Sequence, residues 1–523
     1  MSKSVLVLYL IVTSIVVTIN GANILALFVV ASPSHHIWNS ALVNALARNG
    51  HNVTVLSVDK DADPPKNVHY IHMEGVYDYM YKEIYVDLVG LHNETTMHSV
   101  LSLYAFGTVS CIGASRSQGL KVLLNYPDSF KVDLIIYDYT LGPCVLGFLH
   151  KFNYPPVVGV TAFNIAPCTV DVIGGHTHYG YIPYLSLNYD MDMNLWQKLH
   201  NLWIYAYDYI QRNYYFMPFI DEMLAKNFGP DYPGGRELES KTILALVNSH
   251  PSIDFPEPLP PNVIPVGGLQ IRSPPRPLPK ELIDFINSSK NGSVLFSLGT
   301  NVKSEKLGAD KQKFILEAFS RMPQYNFLWK FEADPKTLPV DIPKNVLIKS
   351  WLPQNDILAH DNVKAFITHA GSLSTHEATW WGKPMVGIPF FVDQHRNLHK
   401  SIKAGVAERL LLESLTADRL IEKVTKVIEE PSYTTNMQAR SQRFRDQPEK
   451  PIERAVWWTE YILRHPNPEH LQSPVPKLGF LRSNLFDIVL AAGFVLCLVV
   501  VFIGRVALKC FQSEKTIRKR KSE

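Results

Sequence analysis

Residues 24–30, ILALFVV, form an unbroken apolar and β-branched run of the kind that fills a strand buried on both faces. The following IWNSALVNALARNG sets Trp38, Leu42 and Leu46 on one helical face, and Asn49-Gly50 supplies a C-cap. VTVLSV at 53–58 is the next strand, so the segment reads as a βαβ unit with a right-handed crossover and a parallel sheet. VDLIIYDY (132–139) and PPVVGVTAF (155–163) add further buried strands. Between Pro251 and Pro279 ten prolines remove amide donors and disfavour helix or central strand, which marks a linker. The alternation then resumes as SVLFSLG strand, DKQKFILEAFSRM helix, NFLWKFE, NVLIKSWL and VKAFITH strands, SLSTHEATWWG helix and PMVGIPFF strand. The pattern predicts an α/β protein of two doubly wound domains facing one another across a cleft, with ligands at the carboxyl ends of the strands. The expected boundaries are a first domain over 22–250, a linker over 251–283 and a second domain over 284–445, with helices and a juxtamembrane segment over 446–484.

Both ends of the chain depart from that alternation. MSKSVLVLYLIVTSIVVTINGA has Lys3, an apolar run and small residues at 21–22, the layout of a signal peptide over 1–21. LFDIVLAAGFVLCLVVVFIG, residues 485–504, carries Asp487 as its one charge and is long enough to cross a bilayer. The tail over 505–523 is rich in Lys and Arg, so the positive-inside bias places it in the cytosol and the body in a lumen or outside the cell. KRKSE at the end has the lysine spacing of an endoplasmic-reticulum retrieval signal; a solvated basic tail meeting anionic lipid is the alternative. Asn93, Asn287 and Asn291 head sequons that are expected to be reachable, whereas Asn52 starts a strand expected to be buried.

At 523 residues the chain exceeds one compact core, and a formal charge of +3 makes no case for nucleic acid. Cys497 and Cys510 lie in or beyond the span, which leaves Cys111, Cys144 and Cys168 for at most one disulfide in the body. No GxGxxG turn is present, which disfavours a nicotinamide or flavin enzyme.

Polar residues collect where strands are expected to end: His35 and His36, Asp138, Ser297 to Thr300, His369, and Asp393 with Gln394. A histidine past a strand end, with a carboxylate from a neighbouring strand to fix its tautomer, is a plausible general base, and His35 with Asp138 is the pairing that this suggests. HAGSLSTHEA (369–378) poses a separate choice. Its histidines are seven apart rather than four, and Glu377 points away from His376 on a helix, so a metal site is disfavoured. It lacks a GxSxG frame for a nucleophile elbow. What remains is a strand, a small-residue turn and a helix opening near Ser372, whose free amides suit a phosphate, with His369 and Ser374 as added donors and Glu377 for a sugar hydroxyl pair. DKDADP places Asp59, Asp61 and Asp63 on alternate positions, as in metal-dependent glycosyltransferases, but its proline-flanked setting reads as a solvated loop. In residues 196–220, Trp196, Leu199, Trp203 and Ile210 recur at helical spacing; core packing is the expected use, with an apolar acceptor pocket or a membrane-leaning surface as alternatives.

WLPQNDILAHDNVKAFITHAGSLSTHEATWWGKPMVGIPFFVDQHRN (351–397) resembles the signature of the UDP-glycosyltransferases. SHH with ARNGHNVTVLS, NSHPSIDFPEPLPPNVIPVGGL and VLFSLGTNV resemble other segments of that family, and the signal, span and basic tail are similar to its membrane-bound animal branch. The resemblance implies the two-domain GT-B fold, with the acceptor on the first domain and the UDP-sugar on the second. By motif, Trp351 would stack on uracil and Gln354 would bond the nucleoside. Ser297, Gly299, Thr300, His369, Gly371 and Ser374 would meet the diphosphate, Glu377 the ribose, and Asp393 and Gln394 the sugar hydroxyls. Lys330 stands where some members have arginine. The serine before the histidine, and the distance to the later Gly50-His51, select His35 over His36 as the base, and Asp138 matches its partner. Ala370 replaces a glycine and Leu373 an asparagine, a pattern similar to insect members, which favour UDP-glucose. The expected activity is inverting, metal-independent transfer of a hexose from a UDP-sugar, the co-substrate, to a small lipophilic acceptor, with no cofactor, in the endoplasmic-reticulum membrane; a homo-oligomer is left open. An inactive binding or receptor-like protein on the same fold is the competing expectation.

Overall fold

The computed structural model describes residues 21–522, so the expected signal lies, but for Gly21, outside the described residues. The first sheet contains β1 (Asn23–Phe28), β2 (Asn52–Ser57), β3 (Val68–His72), β4 (Leu134–Asp138), β5 (Val157–Thr161), β6 (Thr242–Val247) and β7 (Val263–Pro265), in the order β3-β2-β1-β4-β5-β6-β7. The second contains β8 (Ser293–Ser297), β9 (Asn326–Lys330), β10 (Val346–Lys349), β11 (Val363–Thr368), β12 (Met385–Gly387) and β13 (Ala407–Arg409), in the order β10-β9-β8-β11-β12-β13. Neighbours such as β1 and β4, or β8 and β11, pair in parallel. Strand order reverses between β1 and β4 in one sheet and between β8 and β11 in the other. These are the switch points beside which an open parallel sheet leaves a crevice.

The helices that matter below are α1 (Pro33–Arg48), α2 (Thr96–Arg116), α3 (Leu195–Gln211), α4 (Ser372–Trp380), α5 (Gln394–Lys403), α6 (Pro451–Arg464) and α7 (Phe486–Ser522). Helix α1 starts at Pro33, whose missing N–H costs nothing in a first turn, so His35 belongs to a helix and not to the loop expected after the strand. Trp38, Leu42 and Leu46 bury against Ile24, Ala26 and Phe28 of β1, while Leu25 and Leu27 face a second apolar layer on the other side. Burial on both faces explains why the strand reads as a continuous apolar run.

Three placements differ from the reading of the sequence. Within the proline-rich stretch, Val263–Pro265 pairs with β6 as the edge strand of the first sheet, where proline is tolerated. Helix α6 lies beyond the second domain in sequence but buries Ala455, Val456 and Ile462 in the core layer shared by α1 and β1. Helix α5 is tied to the first domain as well: Arg396 donates to the Pro183 carbonyl at 3.1 Å and Lys400 pairs with buried Asp254. Asn93, Asn287 and Asn291 are exposed; so is Asn52, contrary to expectation, because β2 begins at its exposed end.

Cys111 of α2 and Cys144 are disulfide-bonded, while Cys168 is free and buried. With a sequence separation of 33 between the bonded cysteines, the chain-entropy estimate of the bond's contribution is about 4 kcal/mol. Replacing both with alanine should lower stability by that order, read as a fall in thermal midpoint that reductant reproduces in the parent chain and does not deepen in the variant.

Candidate active site

At the first switch point His35, in the opening turn of α1, meets Asp138 at the end of β4. Its Nδ1 lies 2.6 Å from Asp138 Oδ2. Asn39, one helical turn on from His35, donates to the same oxygen at 3.1 Å, and the Thr140 amide donates to Oδ1 at 3.0 Å. Burial by itself would raise the Asp138 pKa; the neighbouring imidazole and these hydrogen bonds outweigh it and hold the carboxyl below its ordinary value. A carboxylate at Nδ1 fixes the tautomer that leaves the Nε2 lone pair free. The ring of Phe163 stands edge-on to His35 at 5.5 Å, and His35 lines a cleft of about 760 Å³ between the domains.

The other wall is the second switch point. The turn after β11 carries His369, Ala370 and Gly371 into α4, whose N-terminus has no side-chain cap. The first intrahelical bond there runs from Thr375 N to Gly371 O, so the amides of residues 372–374 are free of intrahelical partners. His369 is partly buried, and desolvation together with the charge of Lys330 brings its pKa down to about 3. It is therefore a neutral donor near neutral pH. His369 Nδ1 and Thr300 Oγ1 are buried without a hydrogen-bond partner among the described residues, and both residues line the cleft. Gly299, at φ +81°, and Gly371 leave room for the His369 ring: a methyl on Gly371 would fall 2.3 Å from its Nε2. Ala370 sits at φ +63°, a left-handed conformation that costs an L-residue about 1 kcal/mol and explains why glycine suits this position.

Around this opening, Gln354 Nε2 donates to Ser374 Oγ at 3.1 Å and to Glu377 Oε2 at 2.9 Å. Burial pushes Glu377 up to about 7 against the pull of hydrogen bonds from Gln354 and Gln270. Trp351 is 59% exposed at the cleft rim, with Lys330 Nζ 5.8 Å from its ring centroid. Lys330 itself donates to Gly299 O and pairs with Glu332. Asp393 is buried, which raises its pKa although Asn397 donates to it. Gln394 spends its carbonyl on the amides of Phe390 and Phe391. Ser297 accepts from the Gly299 amide and so shapes the turn.

The cleft thus brings together all thirteen residues singled out in the sequence: His35 lines it with Asp138 directly behind, and the other eleven line it. It also recruits Gln270, Arg272 and Arg276 from the proline-rich stretch and Asn301 from the turn after β8. Asn39 was detectable in principle, four residues from His35 on one helical face. No local signal marked the others. Of the three aspartates expected in a solvated loop, Asp63 is exposed in a loop, whereas Tyr77 donates to Asp59 and His36 and Asn44 bond Asp61. Among the described residues no group of three His, Cys, Asp or Glu side chains is gathered as metal ligands.

Comparison with known proteins decides the kinship. The family model described as UDP-glucoronosyl and UDP-glucosyl transferase matches residues 25–522. The chain belongs to this family of UDP-glycosyltransferases. Among its relatives, UDP-glucosyltransferase 2 of Dactylopius coccus is 33% identical over 509 residues, covering 96% of each chain. UDP-glucuronosyltransferase 2B15 of Rattus norvegicus is 32% identical over 398 residues, 73% of this chain and 70% of its own. The fold is also that of the calicheamicin glycosyltransferase CalG4, with a TM-score of 0.57 at 17% identity over 85% of this chain and 99% of that one. A second solved structure, the glycosyltransferase VinC in complex with DTDP, gives a TM-score of 0.54 at 17% identity over 85% of this chain and all 100% of its own. The UDP-glycosyltransferase therefore has the two doubly wound domains expected from its strand pattern and the GT-B architecture that the resemblance implied, with an apolar C-terminal helix, Phe486–Arg518, that fits a transmembrane span.

His376 has a structural place in this enzyme. It is buried, its Nδ1 lies 2.7 Å from the Ser372 carbonyl, and its ring packs on Phe444, which pins the first turn of α4.

The raised Glu377 gives a pH test with a definite sign. Below about pH 7 the free enzyme holds this carboxyl protonated, and a ligand whose hydroxyls need a carboxylate acceptor must first displace that proton. If Glu377 accepts from the hydroxyls of a UDP-sugar, affinity for that donor should weaken by up to about tenfold as the pH falls from 8 to 6, because the donor's own diester phosphates do not titrate there. Titration calorimetry should find that slope flattened in Glu377→Gln.

Proposed function

We propose that the enzyme transfers glucose from UDP-glucose to a hydroxyl of a small lipophilic acceptor with inversion at the anomeric carbon, using His35 as general base. The observation that carries this reading is the His35–Asp138 pair, 2.6 Å apart, facing the same cleft as the uncapped opening of α4. In the proposed step His35 Nε2 takes the acceptor hydroxyl proton as its oxygen bonds to C1 of the sugar. The bond from C1 to the β-phosphate oxygen breaks, and UDP leaves with the electron pair. Asp138 stabilises the imidazolium. The amides of residues 372–374, His369 and Thr300 receive the charge that develops on the diphosphate, so the chemistry calls for no divalent cation. Trp351 stacks on the uracil, Gln354 and Glu377 hold the nucleoside, and Asp393 with the Gln394 amide holds the sugar.

A neutral sugar is favoured by the likeness to UDP-glucosyltransferase 2 of Dactylopius coccus, 33% identical over 96% of this chain, and by the partners that cations of the cleft already hold. Arg272, Arg276, Lys330 and Lys349 line the cleft: Arg272 pairs with Asp356 at 3.0 Å, Lys349 with Glu281 at 2.8 Å, and Lys330 leans over the Trp351 indole. The charges of Arg396 and Lys400 act on buried Asp393, while Arg396 donates to the Pro183 carbonyl and Lys400 pairs with Asp254. Lipophilic acceptors suit the apolar cluster on the His35 side, where Leu103, Leu141, Tyr184 and Leu185 pack with Phe163 at its edge. The membrane span followed by a basic tail, with a disulfide in the body, supports a luminal catalytic body and a cytosolic tail in the endoplasmic reticulum.

His35→Ala should lower kcat with a phenolic acceptor by about 10²–10⁴-fold while UDP-glucose affinity stays within about twofold, with chelator making no difference. UDP-glucuronate should support at most a tenth of the rate seen with UDP-glucose. Full turnover in His35→Ala would remove the base assignment, and equal rates with the two donors would remove the neutral-sugar assignment.

A further inference from the structure

Helix α3 shows a surface that the transfer reaction does not use. Its buried face consists of Asn201, Ile204 and Asp208, and Asp208 accepts from Tyr104 and Tyr184. The four residues expected in the core, Trp196, Leu199, Trp203 and Ile210, instead point outward, and Trp196 and Trp203 are 78% and 56% exposed. Leu195, Leu202 and Tyr209 extend the same face, and Tyr214 and Tyr215 continue it past the end of the helix. Between residues 195 and 215 the charged side chains are Lys198, Asp208 and Arg212, of which the last two are buried, so the outer face carries one cation and no carboxylate. A contiguous patch of Trp, Tyr and Leu with a flanking lysine is the composition of a membrane-interface surface.

The position of the span supplies the occupant. Pro476 packs directly on Gly174, where an added methyl would lie 2.6 Å from its ring. Gly174 caps the short helix Thr169–Ile173, and Asp171 of that helix pairs with Arg212, the residue immediately after α3, at 3.7 Å. From Pro476 to Phe486, where α7 begins, the chain runs ten residues, a reach of at most about 35 Å, and Leu478, Leu481 and Leu485 along it are themselves exposed. The patch and the root of the span are therefore fastened to the same corner of the first domain.

We infer that the outer face of α3 seats in the interface of the bilayer that α7 crosses, giving the body a second, monotopic membrane contact. Since the opposite side of α3 contributes Ile204 to the apolar cluster of the acceptor domain, this contact places the acceptor side of the cleft against the membrane. The inference rests on α7 spanning the bilayer and is independent of the sugar and of the base.

The tryptophans make the test direct. All nine precede residue 459, so none lies in the span or the tail. Full-length protein is reconstituted into phosphatidylcholine and phosphatidylserine vesicles whose acyl chains carry bromine, and alkali extraction checks that it is integral. Tryptophan emission should be quenched relative to unbrominated vesicles. The double variant Trp196→Phe with Trp203→Phe, which keeps the face apolar, should lose at least half of the quenched intensity, while Trp457→Phe, on another exposed surface, should lose little. Three results would overturn the inference: undiminished quenching in the double variant, no quenching in an integral parent protein (as when a second copy covers the face), and release of the protein by alkali.

Discussion

Asp138 is a carboxylate fully enclosed by protein, and the rest of the site depends on how that charge is satisfied. A buried charge without partners costs several kcal/mol, so the fold must bring donors to it. Three arrive from two neighbouring elements: Nδ1 of His35 and Nδ2 of Asn39 from one face of α1, and the Thr140 amide from the turn after β4. Because β1 and β4 are adjacent at the switch point, the helix that follows one strand necessarily opens beside the end of the other. Satisfying Asp138 therefore also orients His35, leaving its second nitrogen free toward the cleft.

The second sheet repeats the topology with the opposite electrostatic purpose. At the β8/β11 junction the chain offers amides, a hydroxyl and a neutral imidazole in place of a buried carboxylate. None of these donors is itself a full charge, and the buried cation beside them, Lys330, is paired with Glu332. The arrangement is tight: two glycines clear the His369 ring, and Ala370 accepts a strained φ between them. Ties from α5 to Pro183 and Asp254, and the packing of α6 onto the first sheet, hold the two walls in register.

Much of this was legible in the sequence because parallel sheets buried on both faces announce themselves as apolar runs, and because functional side chains in such folds follow the strand ends. ILALFVV, LIIYD, VLFS and AFIT mark the four strands at the two switch points, and His35, Asp138, Thr300 and His369 stand just after or at their ends. The contacts made at long range were not legible. Nothing local in 446–484 says that α6 returns to the first sheet, and proline density at 251–283 hides both an edge strand and the cleft-lining Arg272 and Arg276. Trp196 and Trp203 show the converse limit. Helical spacing reports that one face is apolar, but water and lipid leave the same pattern as a protein core, and only the burial of Ile204 and Asp208 on the other side reveals which face turns inward.

The proposed base on one sheet, facing the proposed anion-receiving helix on the other, implies a single displacement in which the acceptor oxygen enters opposite the departing diphosphate. The stereochemistry of one product tests that geometry most directly. With α-linked UDP-glucose and a simple phenol, proton NMR of the product formed in the first turnovers should show only the β-glucoside. An α-glucoside would contradict the account, because attack in line with and opposite to the departing diphosphate inverts C1.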